Sequence, residues 1–119
     1  MVPLAAGLVV LIRFPFSDLS QTKLRPSVVL TDAGRGDWIL CQVTSKPYAD
    51  PAAVVLEEAD FERGSLRVTS YARPGKLFTA SGDLVESVVG ELKPESVREV
   101  IAGVVAILSG SRRQSSSQK

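Results

Sequence analysis

Glycine and proline cut the first 93 residues into short apolar runs, none long enough for a helix with one buried face. The runs are rich in Val, Ile and Leu, and we expect strands at 8–16, 27–31, 38–44, 53–56 and 65–71, with shorter candidates at 76–79 and 84–89. A chain of this kind predicts a small β-barrel.

Turn-forming residues separate these runs. Two glycines and two aspartates at 32–37 predict a hairpin, residues 60–64 predict another turn, and Arg73-Pro74-Gly75 is expected to break a strand. Proline is tolerated at the start of a strand, so Arg25 beside Pro26 is predicted to lie at a strand entrance.

One helix is predicted near the C-terminus. It begins at Pro94 and ends before Gly110, and its apolar residues recur at helical spacing. Residues 111–119 are rich in Ser and Gln and carry three basic residues, which favours a disordered tail after a single domain spanning 1–110. The expected fold class is mainly β, a small barrel of about six to seven strands with a C-terminal helix.

Composition limits the possible partners. The net charge of +1 predicts no extended basic surface, so contact with nucleic acid requires local clusters of Lys and Arg. The apolar runs are too short to span a bilayer, and the first 12 residues lack the basic start and cleavage site of a signal peptide, so a soluble, cytoplasmic protein is expected. Cys41 lies within an apolar run and is expected to be a buried, inert thiol.

The chain contains no histidine. This removes histidine-based acid/base catalysis, the usual Ser and Cys triads and almost every zinc site. The aspartates show no spacing of an ion-binding loop, and no glycine-rich phosphate loop precedes a helix, so neither a metal nor a cofactor is expected. The remaining candidates are Arg25 at one strand entrance and Thr44-Ser45 at the end of the next strand.

Several segments together resemble the PemK/MazF-like toxins. They are Gly7–Leu11, Phe14–Asp18, Lys23–Leu30, Ile39–Lys46 and Ser70–Phe78, and their order and spacing match the family over roughly 7–108. Members commonly carry an acidic residue after the first glycine, where this chain has Leu8.

The resemblance implies an SH3-like barrel that forms a homodimer. It also implies a sequence-selective, metal-independent endoribonuclease that cuts single-stranded RNA to 2′,3′-cyclic phosphate and 5′-hydroxyl ends. A cognate antitoxin would inhibit it through a flexible acidic segment, and DNA would be contacted only through that antitoxin. By position, Arg25 matches the family's catalytic arginine and Thr44 its catalytic hydroxyl residue, with Ser45 as a reserve.

The chemistry suits these residue types. A guanidinium offers a planar fork of donors for the charge that develops on the phosphoryl oxygens, and it stays protonated, so Arg25 is expected to stabilise charge and not to act as a base. Thr44 would orient the phosphate or the 2′-hydroxyl by hydrogen bonding. The sequence offers no clear general base.

Five further residues are candidate RNA contacts: Asp18, Lys23, Lys46, Arg73 and Lys76. Solvated turns are the alternative for the basic residues, and the connector 18–24 is either a lid over the groove or a plain surface loop. Trp38 and Tyr71 are candidates for stacking on bases, although core or interface packing is the simpler expectation for Trp38.

Two other functions fit the same fold. One is a non-catalytic toxin of the kind that poisons DNA gyrase, and the other is an SH3-like module that binds nucleic acid or peptide and leaves it intact. Neither requires Arg25 and Thr44 to converge.

Overall fold

The computed structural model describes residues 3–13, 23–46 and 50–110. Its elements are β1 (Leu8–Arg13), β2 (Leu24–Gly34), β3 (Asp37–Thr44), β4 (Val54–Leu56), β5 (Phe61–Gly64), β6 (Ser70–Ser81), β7 (Val85–Leu92) and α1 (Pro94–Ser109). The seven strands of this part of the chain form one antiparallel sheet in the order β4-β6-β3-β2-β1-β7-β5, curled into a half-barrel. The expected fold class, mainly β with a C-terminal helix, is confirmed.

The sheet buries apolar side chains on both faces, because alternate residues of each central strand point to opposite sides. The first face packs against α1. Its cluster joins sheet residues to the helix residues Val100 and Val104. The sheet residues include Val9, Val28, Leu30, Cys41, Val43 and Ala72. The second face is built on Val10, Ile12, Val29, Leu40 and Ala80, with Leu4, Trp38 and Leu84 packed against it. The candidate site lies at one end of this second face.

Helix α1 begins and ends where the sequence predicts. Pro94 occupies its first turn, and Gly110 ends it in the left-handed conformation at φ 75°. Gly103 brings the helix close to β6, because a Cβ added there would lie 2.9 Å from Cγ of Pro74. Within the described residues, no helix combines the length and the apolar character that crossing a membrane requires.

The predicted hairpin at 32–37 is confirmed as the turn between β2 and β3. Gly34, Arg35 and Gly36 have φ of 91°, 58° and 84°, the left-handed region that glycine enters most easily. Asp32 Oδ1 accepts a hydrogen bond of 2.6 Å from the amide of Gly34. The turn therefore sets the register of β2 and β3, whose other ends carry the candidate site.

One turn prediction and one strand prediction are wrong. Residues 61–64, expected in a turn, form β5 and pair with β7, because Gly64 lies opposite Gly90 and neither carries a side chain to separate the backbones. Residues 65–69, expected in a strand, bond locally instead: the amide of Arg67 donates to Ser65 Oγ at 2.7 Å. Strand β6 begins only at Ser70, and the predicted strand residues 14–16 lie outside the described part of the chain.

The Arg73-Pro74-Gly75 break is a bulge within one long strand. Cys41 pairs with Leu77 and Val43 pairs with Ala72, so residues 73–76 of β6 stand against Gln42 alone. The predicted strand 76–79 is the continuation of β6 beyond this bulge.

Candidate functional site

Strands β2 and β3 bring Arg25 and Thr44 together. Their register pairs Ser27 with Gln42, and extending it by two residues places Arg25 opposite Thr44. Residues directly opposite in an antiparallel pair project to the same face, with Cβ atoms about 4.5–5.5 Å apart. The continued register therefore sets the two residues singled out from the sequence on neighbouring strands and on the same face.

A row of side chains crosses the sheet at this level. Arg25 also pairs with Ile12 of β1, and Thr44 pairs with Tyr71 of β6. Ile12 is fully buried, Thr44 and Tyr71 are half-buried, and Arg25 is exposed. Across the sheet, the row therefore passes from a buried position on β1 to accessible positions on β2, β3 and β6.

The Thr44 hydroxyl is held by a local turn. Its Oγ1 accepts a hydrogen bond of 3.1 Å from the amide of Lys46. This bond orients the side chain, and a hydroxyl that accepts still has its own hydrogen to donate to a phosphate oxygen. Ser45, between the two, is exposed.

Cations gather at the same end. Lys23 directly precedes β2 and Lys46 follows β3, and both are exposed beside Arg25 at the strand ends. Arg13 ends β1 nearby and forms an ion pair with Glu86 at 2.7 Å. The local charge is positive although the chain as a whole is close to neutral, which suits a polyanion.

Arg73 occupies a different setting from the other candidate RNA contacts. Its Nε donates to Asp50 Oδ2 at 3.0 Å, while Asp50 Oδ1 accepts from the amide of Ala52. The bulge that carries Arg73 also carries the exposed Lys76, and it stands against Gln42, two residues along β3 from Thr44. Asp18 lies outside the described residues.

The two aromatic candidates lie far apart. Tyr71 neighbours Thr44, whereas Trp38 lies six residues back along β3, about 20 Å away at the usual rise per strand residue. Trp38 is half-buried and lines a separate cavity of about 350 Å³ with Leu4, Arg35 and Gly82. Trp38 packs against the buried cluster of the second face while part of its surface stays exposed.

Cys41 lies next to the site on β3 but faces the opposite side of the sheet. Its side chain is fully buried, and its Sγ donates to the carbonyl oxygen of Arg73 at 3.0 Å. Burial raises the pKa of Cys41 from 9.0 to about 12. The thiol is therefore inert at neutral pH, as expected from the sequence.

Two residues that the sequence interpretation passed over also lie here. Ser27 and Gln42 pair with each other one step inside Arg25 and Thr44, on the same face. Period-2 alternation counted back from Thr44 would have found Gln42. The burial of Ser27 depends on tertiary packing and leaves no local signal.

Comparison with known proteins agrees with this geometry. The family model of PemK-like, MazF-like toxins of type II toxin–antitoxin systems matches residues 5–108. The chain belongs to this family. The match spans every strand of the sheet and all but the last residue of α1, so the toxin fold accounts for nearly the whole described structure.

Solved toxin structures share the fold. MazF from Deinococcus radiodurans is 24% identical, with a TM-score of 0.69 over 92% of this chain and 98% of that one. A mycobacterial endoribonuclease in complex with its cognate antitoxin is 15% identical, with a TM-score of 0.68 over 92% of this chain and 96% of that one. A MazE–MazF complex from Deinococcus radiodurans is 22% identical, with a TM-score of 0.70 over 87% and 94%. No curated protein sequence matches the chain.

Proposed function

We propose that this chain is the toxin of a type II toxin–antitoxin system and that it cuts single-stranded RNA without a metal ion. The observation that carries the proposal is the β2–β3 register, which pairs Ser27 with Gln42 and, continued by two residues, sets Arg25 opposite Thr44 on one face of the sheet, in a member of the PemK/MazF-like family. A mycobacterial structure that shares the fold is named an endoribonuclease, which supports the same activity here.

The cleavage step needs only the substrate's own nucleophile. The 2′-oxygen forms a bond to the adjacent phosphorus as its proton passes to a substrate oxygen or a water, the bond from phosphorus to the 5′-oxygen breaks, and the 5′-oxygen takes up a proton from water. The products are a 2′,3′-cyclic phosphate and a 5′-hydroxyl. The protein must hold the phosphate and stabilise the charge that grows on its oxygens.

Arg25 and Thr44 have different roles in this step. The Arg25 guanidinium stays protonated and donates to the phosphoryl oxygens, where it stabilises the developing charge and can supply hydrogen bonds to the leaving oxygen. Thr44, oriented by its bond from the Lys46 amide, donates its hydroxyl hydrogen to a phosphate oxygen or to the 2′-oxygen. Ser45 stands in reserve, and Lys23 and Lys46 hold the neighbouring phosphates.

The test compares matched substitutions. Arg25→Ala is expected to lower the cleavage rate about 100-fold to 1,000-fold, and Thr44→Val about tenfold. Arg98→Ala removes the same charge from an exposed position on α1, and Thr79→Val makes the same change at an exposed position of β6; both controls should cut normally. Wild-type cleavage by both site variants would contradict the assignment.

Growth inhibition separates the two toxin mechanisms. A catalytic toxin should lose its effect on cells when Arg25 or Thr44 is replaced. An effect that survives both substitutions, with no RNA cut, would favour the gyrase-poison alternative.

An antitoxin partner and a homodimer belong to the same proposal. Structures that share the fold contain a cognate antitoxin, and the cationic end around Lys23, Arg25 and Lys46 suits an acidic segment. For the dimer, α1 exposes Ile101, Val105 and Leu108 at 38%, 56% and 74% along one side. Sedimentation of the purified chain tests the dimer directly.

A further inference from the structure

Two polar side chains extend the site inward along β2 and β3. Ser27 and Gln42 pair directly, two residues from Arg25 and Thr44 on their strands, so the two pairs stand about 7 Å apart on one face. The next positions on this face are apolar, with Val29 on β2 and Leu40 on β3. Ser27 and Gln42 therefore mark the inner boundary of the polar surface.

The Ser27 hydroxyl has no hydrogen-bond partner. The residue is 0% exposed, and its Oγ is the one buried side-chain oxygen or nitrogen of the described residues that lacks a partner. Buried polar groups are nearly always satisfied, and an exception beside a candidate site calls for a role that appears when a ligand binds.

Gln42 is the polar side chain placed to meet that hydroxyl. Directly opposite residues have Cβ atoms about 4.5–5.5 Å apart, and a glutamine side chain is long enough to bring its amide to Ser27 Oγ. Gln42 is half-buried, and its amide does not bond Ser27 in the structure, so both groups are open to a bond that forms with a ligand. A primary amide has two donor hydrogens and an acceptor oxygen, and can bond Ser27 and a ligand together.

The bulge of β6 lies across from Gln42. Because the pairing jumps from Cys41 with Leu77 to Val43 with Ala72, no single β6 residue stands directly across from Gln42. Within the bulge, Pro74 is fully buried and lies close to Gly103 of α1. Bulges next to active sites commonly re-aim neighbouring groups in this way.

We propose that Gln42 reads the base edge of a nucleotide next to the phosphate held by Arg25 and Thr44, and that Ser27 positions the Gln42 amide for it. The inference rests on the RNA-cleaving function proposed above. Single-stranded RNA exposes base edges to side chains, and an amide's adjacent donor and acceptor match adenine N7 and N6. The proposal takes adenine as the base read.

The experiment uses the purified full chain and short single-stranded RNAs that differ only in the base on either side of the cut. The wild-type chain should prefer adenine at one of these positions. Gln42→Leu, which keeps the size and loses the amide, should reduce the ratio of kcat/KM for adenine over the other bases by about tenfold or more. Thr79→Val, on β6 opposite Ile39, is the control and should keep the wild-type ratio.

Ser27 is a positioning residue and is tested through Gln42. Ser27→Ala should weaken the adenine preference in the wild-type background and have no further effect on it in the Gln42→Leu background. If Ser27 had only a structural role, Ser27→Ala would change the adenine preference by the same factor in both backgrounds.

Binding of the same RNAs, made resistant to cleavage by a 2′-deoxy sugar at the cut, separates this inference from the proposed function. If the chain cuts RNA and Gln42→Leu keeps the wild-type base preference in cleavage and binding, the inference is overturned and the function stands. If the chain binds adenine-containing RNA through Gln42 and cuts none, the function fails and the inference stands. No adenine preference in either assay overturns the inference.

Discussion

Replacing Ser27 by alanine should make the protein more stable. Three serines of the described chain are buried, and they differ in what their hydroxyls do: Ser70 Oγ donates to the carbonyl oxygen of Val68 at 3.0 Å, Ser96 Oγ donates to Asp60 Oδ1 at 2.8 Å, and Ser27 Oγ has no partner. Leaving a hydroxyl buried without a hydrogen bond costs about 1–3 kcal/mol, and alanine removes that cost while it loses only one atom of packing.

The magnitude follows from these contacts. Ser27→Ala should raise the free energy of unfolding by about 1–2 kcal/mol, whereas Ser70→Ala should lower it by about 1 kcal/mol and Ser96→Ala, which breaks a bond to a carboxylate, by about 1.5–3 kcal/mol. A chain of 119 residues unfolds with an entropy near 0.25 kcal/mol/K, so 1 kcal/mol shifts Tm by about 4 °C.

The assay is thermal unfolding monitored by calorimetry, with the three variants and the wild type measured at the same protein concentration. A Tm of Ser27→Ala about 4–8 °C above the wild type is the expected result. A Tm equal to or below the wild type, with the other two variants destabilised as expected, would show that the hydroxyl is satisfied and would refute the reasoning. Together with a weakened base preference, a higher Tm would show that stability was given up for recognition.

Three further predictions concern the scaffold around the site. Gly64→Ala should destabilise the fold by more than about 3 kcal/mol in urea unfolding, since φ is 70° and the new Cβ would lie 2.2 Å from the carbonyl oxygen of Val89. Gly103→Ala should lower stability despite alanine's better helix propensity, because its Cβ would meet Pro74; a gain of about 1 kcal/mol would instead show that α1 moves freely. For Cys41 the folded pKa of about 12 exceeds the ordinary 9.0, so its contribution is complete below pH 9 and is lost as pH rises from 9 to 12; Cys41→Ala should flatten that part of the stability profile.

Local rules were enough for much of the fold. Proline at the first helical turn and glycine after the last fixed the bounds of α1, and paired glycines and aspartates predicted the turn between β2 and β3. These rules did not predict strand β5, because β5 forms only through its pairing with β7. Gly64 was interpreted as a turn residue. In the structure it lets the two backbones approach each other at Gly90.

The candidate site was predictable in part. Family resemblance singled out Arg25 and Thr44, and the register places them opposite each other. Which neighbours would join them depends on pairing and burial: the ion pair of Arg73 with Asp50 and the unsatisfied hydroxyl of Ser27 are tertiary facts that no short motif encodes. The roles of all the candidate RNA contacts stay predictions.

The most direct test of the central claim is incubation of the purified chain with a long single-stranded RNA in excess EDTA, followed by analysis of the new ends. We expect cleavage at a limited set of sites, 2′,3′-cyclic phosphate and 5′-hydroxyl ends, and cleavage slowed about 100-fold to 1,000-fold in Arg25→Ala. An intact RNA, cleavage that EDTA abolishes, or 5′-phosphate ends would contradict a metal-free mechanism built on Arg25 and Thr44.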